Sequence, residues 1–281
     1  MSTRLPKIDK LVIPGQRQAL LAEVVTSITV DYGTDQVAEL SVTLADPDDK
    51  VTTKAKALLG AMLTFEGQRW QIGSVDAQLV EWGTVLTLRA RDPLAKKLRV
   101  TYKTSAEKKV SPGDWVKGRV KAAGGSAVVQ PSSKRATIAQ SKNQSVLDVM
   151  GDLAGELEWS WTSYEDRLYF ANRYTAWQGK VPGLATWPVT WQTNPRSDAL
   201  AGSWTQSDDN SENVAELDLE LPYEYGARLR PWQRLRSTLP GAAGLWLIET
   251  VNITHDGFTP VQVTATQPKK PSPKAGSSAK E

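Results

Sequence analysis

At 281 residues, 40% hydrophobic and 23% charged, the chain is long enough for two or three small domains with cores of their own, and disorder throughout is excluded. Lysine plus arginine (34) against aspartate plus glutamate (31) leaves a net charge of +3, too balanced to argue for a nucleic-acid or anionic-membrane partner. The absence of cysteine excludes disulfide scaffolds and thiolate metal sites.

Met1 to Lys10 is too charged for the apolar core of a secretory signal, so export by its own signal is not expected. No stretch approaches the roughly 20 apolar residues of a membrane helix. Glu23 to Asp31 and Val37 to Asp46 read as antiparallel strands, with Leu40, Val42 and Leu44 on one side and Glu39, Ser41 and Thr43 on the other. Asp31 to Asp35, with Gly33, supplies the connecting turn, and Asp46-Pro47-Asp48-Asp49 the next. A short helical stretch, Lys54 to Leu59, leads to Gly60. Met62 to Glu66, Trp70 to Val75 and Val85 to Ala90 are further strands, separated by turns at Gly67-Gln68 and Trp82-Gly83. So many short strands suggest a small barrel or sandwich, because closure removes exposed edges.

Beyond Lys96 lysine, serine and threonine dominate as far as Lys109, and an exposed crossover is expected. Ser111-Pro112 opens a helix with proline at its first position, running through Trp115, Val116 and Val120 to a stop at Gly124-Gly125. A short β-like run, Ala127 to Gln130, and a polar loop follow. Val146, Val149, Met150, Leu153 and Leu157 then recur at spacings of three and four, which predicts a helix with one apolar face. Ser145 is placed as its N-cap, Asp148 completes a capping-box variant, and Gly155 is expected to end it in a left-handed turn. The period then drops to two. Leu157, Trp159 and Trp161 alternate with Glu158 and Ser160 as a half-buried strand, and Tyr164-Glu165-Asp166 turns into a second strand, Arg167 to Asn172. Helix, strand, helix, strand, strand makes one α+β module.

From Trp187 to Gln267 the pattern is β again, with candidates at Val189 to Gln192, Ala199 to Gln206, Glu212 to Leu221, Gln233 to Ser237, Leu245 to Ile253 and Val261 to Ala265. Leu245 to Val251, then Asp256-Gly257 and another strand, reads as a closing hairpin. Trp246, Ile248 and Val251 echo Trp70, Ile72 and Val75, a weak internal repeat. Pro268 to Glu281 is proline, lysine, serine and glycine with nothing to pack, and reads as a disordered tail.

The run Ser145-Val146-Leu147-Asp148-Val149-Met150 through Leu153-Ala154, the aromatic strand and Arg167-Leu168-Tyr169-Phe170 resembles the central module of the tail or baseplate hub proteins of phages and contractile injection machines. Alternating strands, the Asp46-Pro47 turn, a short helix, Gly60 and Trp70-Gln71-Ile72-Gly73-Ser74-Val75 are similar to that family's first barrel, and Ala90-Arg91-Asp92-Pro93-Leu94 to its exit. The resemblance covers about 23–267. It implies a mainly β fold with an α+β insert: a first β-barrel over 1–95, the α+β module over 96–186, a second β-barrel over 187–267 and a tail over 268–281. It further implies a homotrimer in the virion tail, assembled in the host cytoplasm, whose two like barrels per chain give six around a ring. Such a ring would join the tail tube, tape-measure or distal tail protein to a central tip or spike. The resemblance also implies a lumen that the genome passes through without sequence-specific contact, and it implies no membrane partner. The barrel repeat is fainter here than in the family, and no spike or lysozyme segment follows it.

Catalytic chemistry finds little to work with. The single histidine, His255, sits in a Thr254-His255-Asp256-Gly257 turn without a Gly-x-Ser-x-Gly elbow, and no phosphate-binding Gly-rich loop occurs, so no cofactor is expected. Glu156/Glu158 and Glu165/Asp166 are acid pairs by type only and read as a solvated face and a turn. Asp46-Pro47-Asp48-Asp49 and Asp208-Asp209-Asn210-Ser211-Glu212 have oxygens for calcium but not the EF-hand spacing. The basic segments Lys96 to Arg99, Lys117 to Lys121 and Lys269 to Lys274 read as solvated faces. Tryptophan is abundant, 11 against 3 phenylalanines, and an indole suits surfaces that are part dry and part wet. Trp159, Trp161, Trp177 and Trp204 are therefore the candidate interface residues, with a tryptophan-rich carbohydrate-binding or receptor-binding β-protein as the alternative.

Overall fold

The computed structural model describes residues 8–207 and 213–271. The first region holds β1 (Leu11–Val12), α1 (Gln18–Val24), β2 (Val25–Gly33), β3 (Glu39–Asp46), α2 (Ala55–Leu58), β4 (Met62–Phe65), β5 (Gln68–Val80) and β6 (Gly83–Arg91). The middle region follows with α3 (Pro93–Val100), β7 (Ser105–Val110), α4 (Pro112–Ala122), β8 (Ser126–Val129), β9 (Ala136–Gln140), α5 (Val146–Leu157), β10 (Ser160–Tyr164), β11 (Arg167–Ala171) and α6 (Arg173–Trp177). The third contains β12 (Thr186–Val189), β13 (Ala201–Gln206), β14 (Asn213–Leu221), α7 (Tyr223–Gly226), β15 (Arg234–Ser237), β16 (Gly244–Thr254) and β17 (Val261–Pro268). The fold is mainly β with an α+β insert.

The two β regions are one unit built twice. In the first, hydrogen bonds set the order β4-β5-β6-β3-β2; in the third, β15-β16-β17-β14-β13. Each unit is thus the same five strands in the same sequence, with a short helix between its second and third. The agreement extends to single bonds. A β-bulge interrupts β5 between Ile72 and Ser74 and interrupts β16 between Ile248 and Thr250. At that bulge Gly60 N–H donates to the Ile72 carbonyl (3.0 Å) and Ile72 N–H to the Ala61 carbonyl (2.9 Å). In the other unit Trp232 N–H donates to Ile248 (2.8 Å) and Ile248 N–H to Gln233 (2.9 Å). Gly60 and Trp232 both sit at positive φ, 82° and 69°. Trp232 holds that conformation because its indole is completely buried.

The units meet edge to edge. The second half of β16 pairs antiparallel with β2, Thr250 to Thr254 against Gly33 to Thr29, so twelve strands form a single sheet. Its hydrogen-bonded path is open at β1 and β13 among the described residues, and runs from one unit into the other instead of closing around either. Ile28, Val30, Tyr32, Leu40, Val42 and Leu44 on one side and Leu217, Leu219, Leu221, Val251 and Ile253 on the other belong to the same core.

The middle region has a core of its own, in which Trp115, Val116 and Val120 of α4 meet Val146, Val149, Met150 and Leu153 of α5 and Leu168 and Phe170 of β11. The capping box forms as the sequence predicts: Asp148 N–H donates to Ser145 Oγ (3.2 Å) and Ser145 N–H to Asp148 Oδ2 (2.7 Å). Gly155 does not end the helix. Leu157 is its last residue and Glu158, at φ 55°, is the left-handed cap, with Trp159 N–H returning to the Ala154 carbonyl at 2.8 Å. The strand therefore starts at Ser160, and every residue of β10 is buried, because β10 is covered on both faces where a half-buried strand was expected.

The exposed crossover expected over 96–109 holds α3, whose N-cap Asp92 accepts from Ala95 N–H at 2.9 Å, and β7, which pairs with β9. Glu23 and Val24 end α1 and are not strand. The turn between β4 and β5 uses Glu66 and Gly67, both at positive φ, one residue before the expected Gly67-Gln68. The strand β17 runs to Pro268, the first residue of the expected tail, and 272–281 lies outside the described residues, as does the acidic run 208–212.

Candidate functional site

The four candidate tryptophans separate by environment. Trp161 is buried in the middle core, and its backbone is tied to the first unit: its N–H donates to Asp35 Oδ1 (2.8 Å) and its carbonyl accepts from Asp35 N–H (2.7 Å). Trp177 is half-buried against the main core, with Nε1 donating to the Leu245 carbonyl (2.8 Å) and its ring against Tyr174. Trp159 is half-buried, edge-on to Phe170 with centroids 5.2 Å apart, and lines a groove of about 990 Å³ with Asp35, Arg99 and Arg173. Trp204 alone among the four is exposed, at 46%, and it stands on β13, every residue of which faces solvent. Trp159 and Trp161 do not offer two parallel open faces to a sugar ring.

Two acids, Asp35 of this groove and Asp92 at the start of α3, are held by the scaffold. Burial raises Asp35 above the ordinary carboxylate value against the opposing bond from Trp161 N–H, and burial raises Asp92, the α3 cap, in the same way. One of the two arginines lining this groove is bound from the side of the second unit: Arg173 Nε donates to Glu249 Oε1 (2.9 Å), which also accepts from Thr266 Oγ1 (2.8 Å). Glu249 is the bulge residue of β16, and this buried ion pair clamps α6 to the third region. The residue at the matching bulge of β5 is Gly73.

The acid pairs read from the sequence do not converge on a reaction centre. Glu156 pairs with Lys134 (3.0 Å), and Glu165 accepts from Gln68 Nε2 (2.8 Å) near Arg230. Glu165 and Asp166 form the β10–β11 turn, both at positive φ. Asp46 faces inward and accepts from Lys50, Val51 and Thr52 N–H and from Thr52 Oγ1 at 2.8–3.0 Å. Burial works against its charge, but these bonds outweigh burial and leave its pKa below the ordinary value. Asp49 accepts from Thr84 Oγ1 (2.7 Å) and Asp48 pairs with Lys50 (2.7 Å), so this loop uses its oxygens on itself. Among the described residues no group of three or more potential metal ligands forms. His255 keeps its turn position, yet its ring is buried where the two units join: Nδ1 lies 2.7 Å from the Tyr223 hydroxyl and the ring packs edge-on to Phe65. No helix is long and apolar enough to cross a membrane among the described residues.

What the surface does offer is strand edge. Beyond Ile72, β5 pairs only with β6, and its other side is open among the described residues. At the opposite end of the sheet β13 pairs only with β14. Large apolar side chains stand exposed beside both edges: Leu79 (82%) and Trp82 on the β5 side, Leu200 and Trp204 at β13. Open edges with apolar side chains are association surfaces. Sequence reasoning missed them because an edge is a property of topology, though the Trp70/Trp246 echo carried the signal.

No protein-family model matches the chain, and no curated protein sequence does. Solved structures do match. A tail protein from Neisseria meningitidis MC58 aligns over 86% of this chain and 91% of its own with a TM-score of 0.58 at 13% identity. The E. coli c3393 protein, a type VI secretion system component with structural similarity to the T4 bacteriophage tail proteins gp27 and gp5, aligns over 93% and 77% with a TM-score of 0.63 at 12% identity. The 43 kDa tail protein of prophage MuSo2 from Shewanella oneidensis aligns over 86% and 92% with a TM-score of 0.60 at 10% identity. The chain has the fold of these tail proteins.

Proposed function

We propose, on the shared tail-protein fold and the doubled β unit, that this chain is a structural component of a phage tail, a hub joining the tail tube, with its tape-measure or distal tail protein, to a central tip or spike. It works as a homotrimer and catalyses nothing. The observation that carries the reading is the duplication: two copies of one five-stranded unit, joined edge to edge in one chain. Three such chains in a ring present six like units, so one face can meet a sixfold tube while the chain itself keeps threefold symmetry for a tip. Each unit also carries an exposed aromatic at the tip of its long hairpin, Trp82 in the first and Phe258 in the third region, a contact that a ring of three would repeat six times. Buried strand edges and apolar area supply the energy of assembly, and no bond needs to be made or broken.

The test is the mass of the purified protein in solution across a concentration series, alone and with the tube-end and tip proteins of its own tail. A trimer that retains those proteins supports the reading. A chain that stays monomeric and binds neither refutes it. Glycan binding that disappears in Trp159→Ala would favour a carbohydrate-binding module in its place.

A further inference from the structure

We propose that strand β13 of one copy adds antiparallel to the free half of β5 in a second copy, in the register of the internal β2–β16 joint, with Trp204 opposite Ala77. This rests on the assembly reading above and names the surface that performs it.

The argument is a superposition of the chain on itself. Matching the two bulges places Ile72 on Ile248 and, beyond them, Ser74 on Thr250, Ala77 on Ile253 and Leu79 on His255. Following the ladders outward matches Leu40 of β3 with Leu217 of β14. One strand further, Val30 of β2 falls on Trp204 of β13. Every strand of one unit now has its counterpart, and one difference remains. The counterpart of β5, β16, is paired along its second half by β2 of the same chain, whereas β5 has no strand there among the described residues; β2, the counterpart of β13, is covered on both sides, whereas β13 has one side open among the described residues.

Burial shows what the open joint lacks. In the closed joint Val30 and Ile253 are opposite each other, each 2% exposed, and His255 is 1% exposed. Their counterparts Trp204, Ala77 and Leu79 are all exposed, at 46% and 82% for the first and last. A Val–Ile pair in one joint corresponds to a Trp–Ala pair in the other, a large side chain facing a small one and a combined bulk fit for one gap. The remaining register follows as Val75 with Gln206, Asp76 with Thr205 and Gln78 with Ser203, and none of these pairs brings like charges together. Because the contact is head to tail, each copy uses both edges, and three copies close a ring in which six joints are alike.

In the closed joint His255 N–H donates to the Ile28 carbonyl (2.7 Å) and Thr34 N–H to the Glu249 carbonyl (3.0 Å), which makes Asn252 and Asp31 a pair without direct backbone bonds. Their counterparts, Asp76 and Thr205, should therefore lie with Cα atoms about 4.5 Å apart across the two chains, close enough for a disulfide. The protein has no cysteine, so an introduced pair reports alone. Oxidised Asp76→Cys/Thr205→Cys should run on a non-reducing gel as a ladder ending at three chains, while each single variant and Ala77→Cys/Thr205→Cys, whose thiols face opposite sides, stay at one. Ala77→Arg, a change at an exposed position, should keep the far-UV circular dichroism of the wild type and abolish the trimer. If the wild type forms a trimer by mass but the in-register pair does not link, the joint lies elsewhere: this inference is overturned and the hub reading survives. If no assembly forms under any condition, both are overturned.

Discussion

The first and third regions share a backbone plan down to single bonds, yet the same positions carry different side chains wherever their surroundings differ. Ile72 and Ile248 occupy one role and remain isoleucine. Gly73 and Glu249 occupy one bulge, but only Glu249 faces a guanidinium, from Arg173 in the middle region. Val30 and Trp204 occupy one edge, but among the described residues only Val30 has a strand on its outer side as well. The lesson is that ladders and turns preserve a repeat, while side chains record which neighbour each copy has met.

The most direct way to break the comparison is at the position that both units hold in common. Ile72→Ala and Ile248→Ala each remove a side chain with no exposed surface, and each should cost about 3 kcal/mol by chemical denaturation. Similar values, roughly additive in the double variant, would support the equivalence; a loss at only one site would break it.

The bulges should respond unequally. Glu249→Ala strands a buried guanidinium and should cost about 3 kcal/mol. Gly73→Ala meets nothing nearer than the Arg89 carbonyl at 3.8 Å and should shift stability by about 0.5 kcal/mol or less.

At the edges, Val30→Ala should lower the stability of the single chain by about 1–2 kcal/mol, because the joint it fills is internal. Trp204→Ala should cost the single chain about 1 kcal/mol or less and act on assembly instead.

A smaller effect distinguishes the exits of β3 and β14, where only the first ends in a carboxylate that caps its own loop, Asp46. Its folded-state pKa lies below the ordinary 3.8, so the stability it contributes is present above that value and lost as pH falls through the folded pKa. The stability difference between wild type and Asp46→Asn should be about 1 kcal/mol near neutrality and shrink in acid; a pH-independent difference would show that the carboxylate's charge is immaterial.

Periodicity made the alternating strands, α4 and α5 legible, along with the capping box of Ser145 and Asp148, because each of these is set by residues close together in the chain. What stayed hidden depends on distance or on weak local signals. Half of strand β7 is Glu107, Lys108 and Lys109, all exposed, so no alternation marks it. Helices α6 and α7 are five and four residues long, too short for a helical period to show. The tie between the Trp161 backbone and Asp35, 126 residues away, has no local signal in the sequence. The Arg173–Glu249 clamp joins residues 76 apart. Of the four tryptophans, only Trp204 is exposed, on a strand that pairs on one side alone among the described residues, and the sequence could not rank it above the others.

The central claim is that one strand joint, used once inside the chain, is used again between chains. Native mass measurement of the wild type beside Ala77→Arg tests it most directly. The account predicts three chains for the wild type and one for the variant at the same concentration. Three chains in both would contradict it.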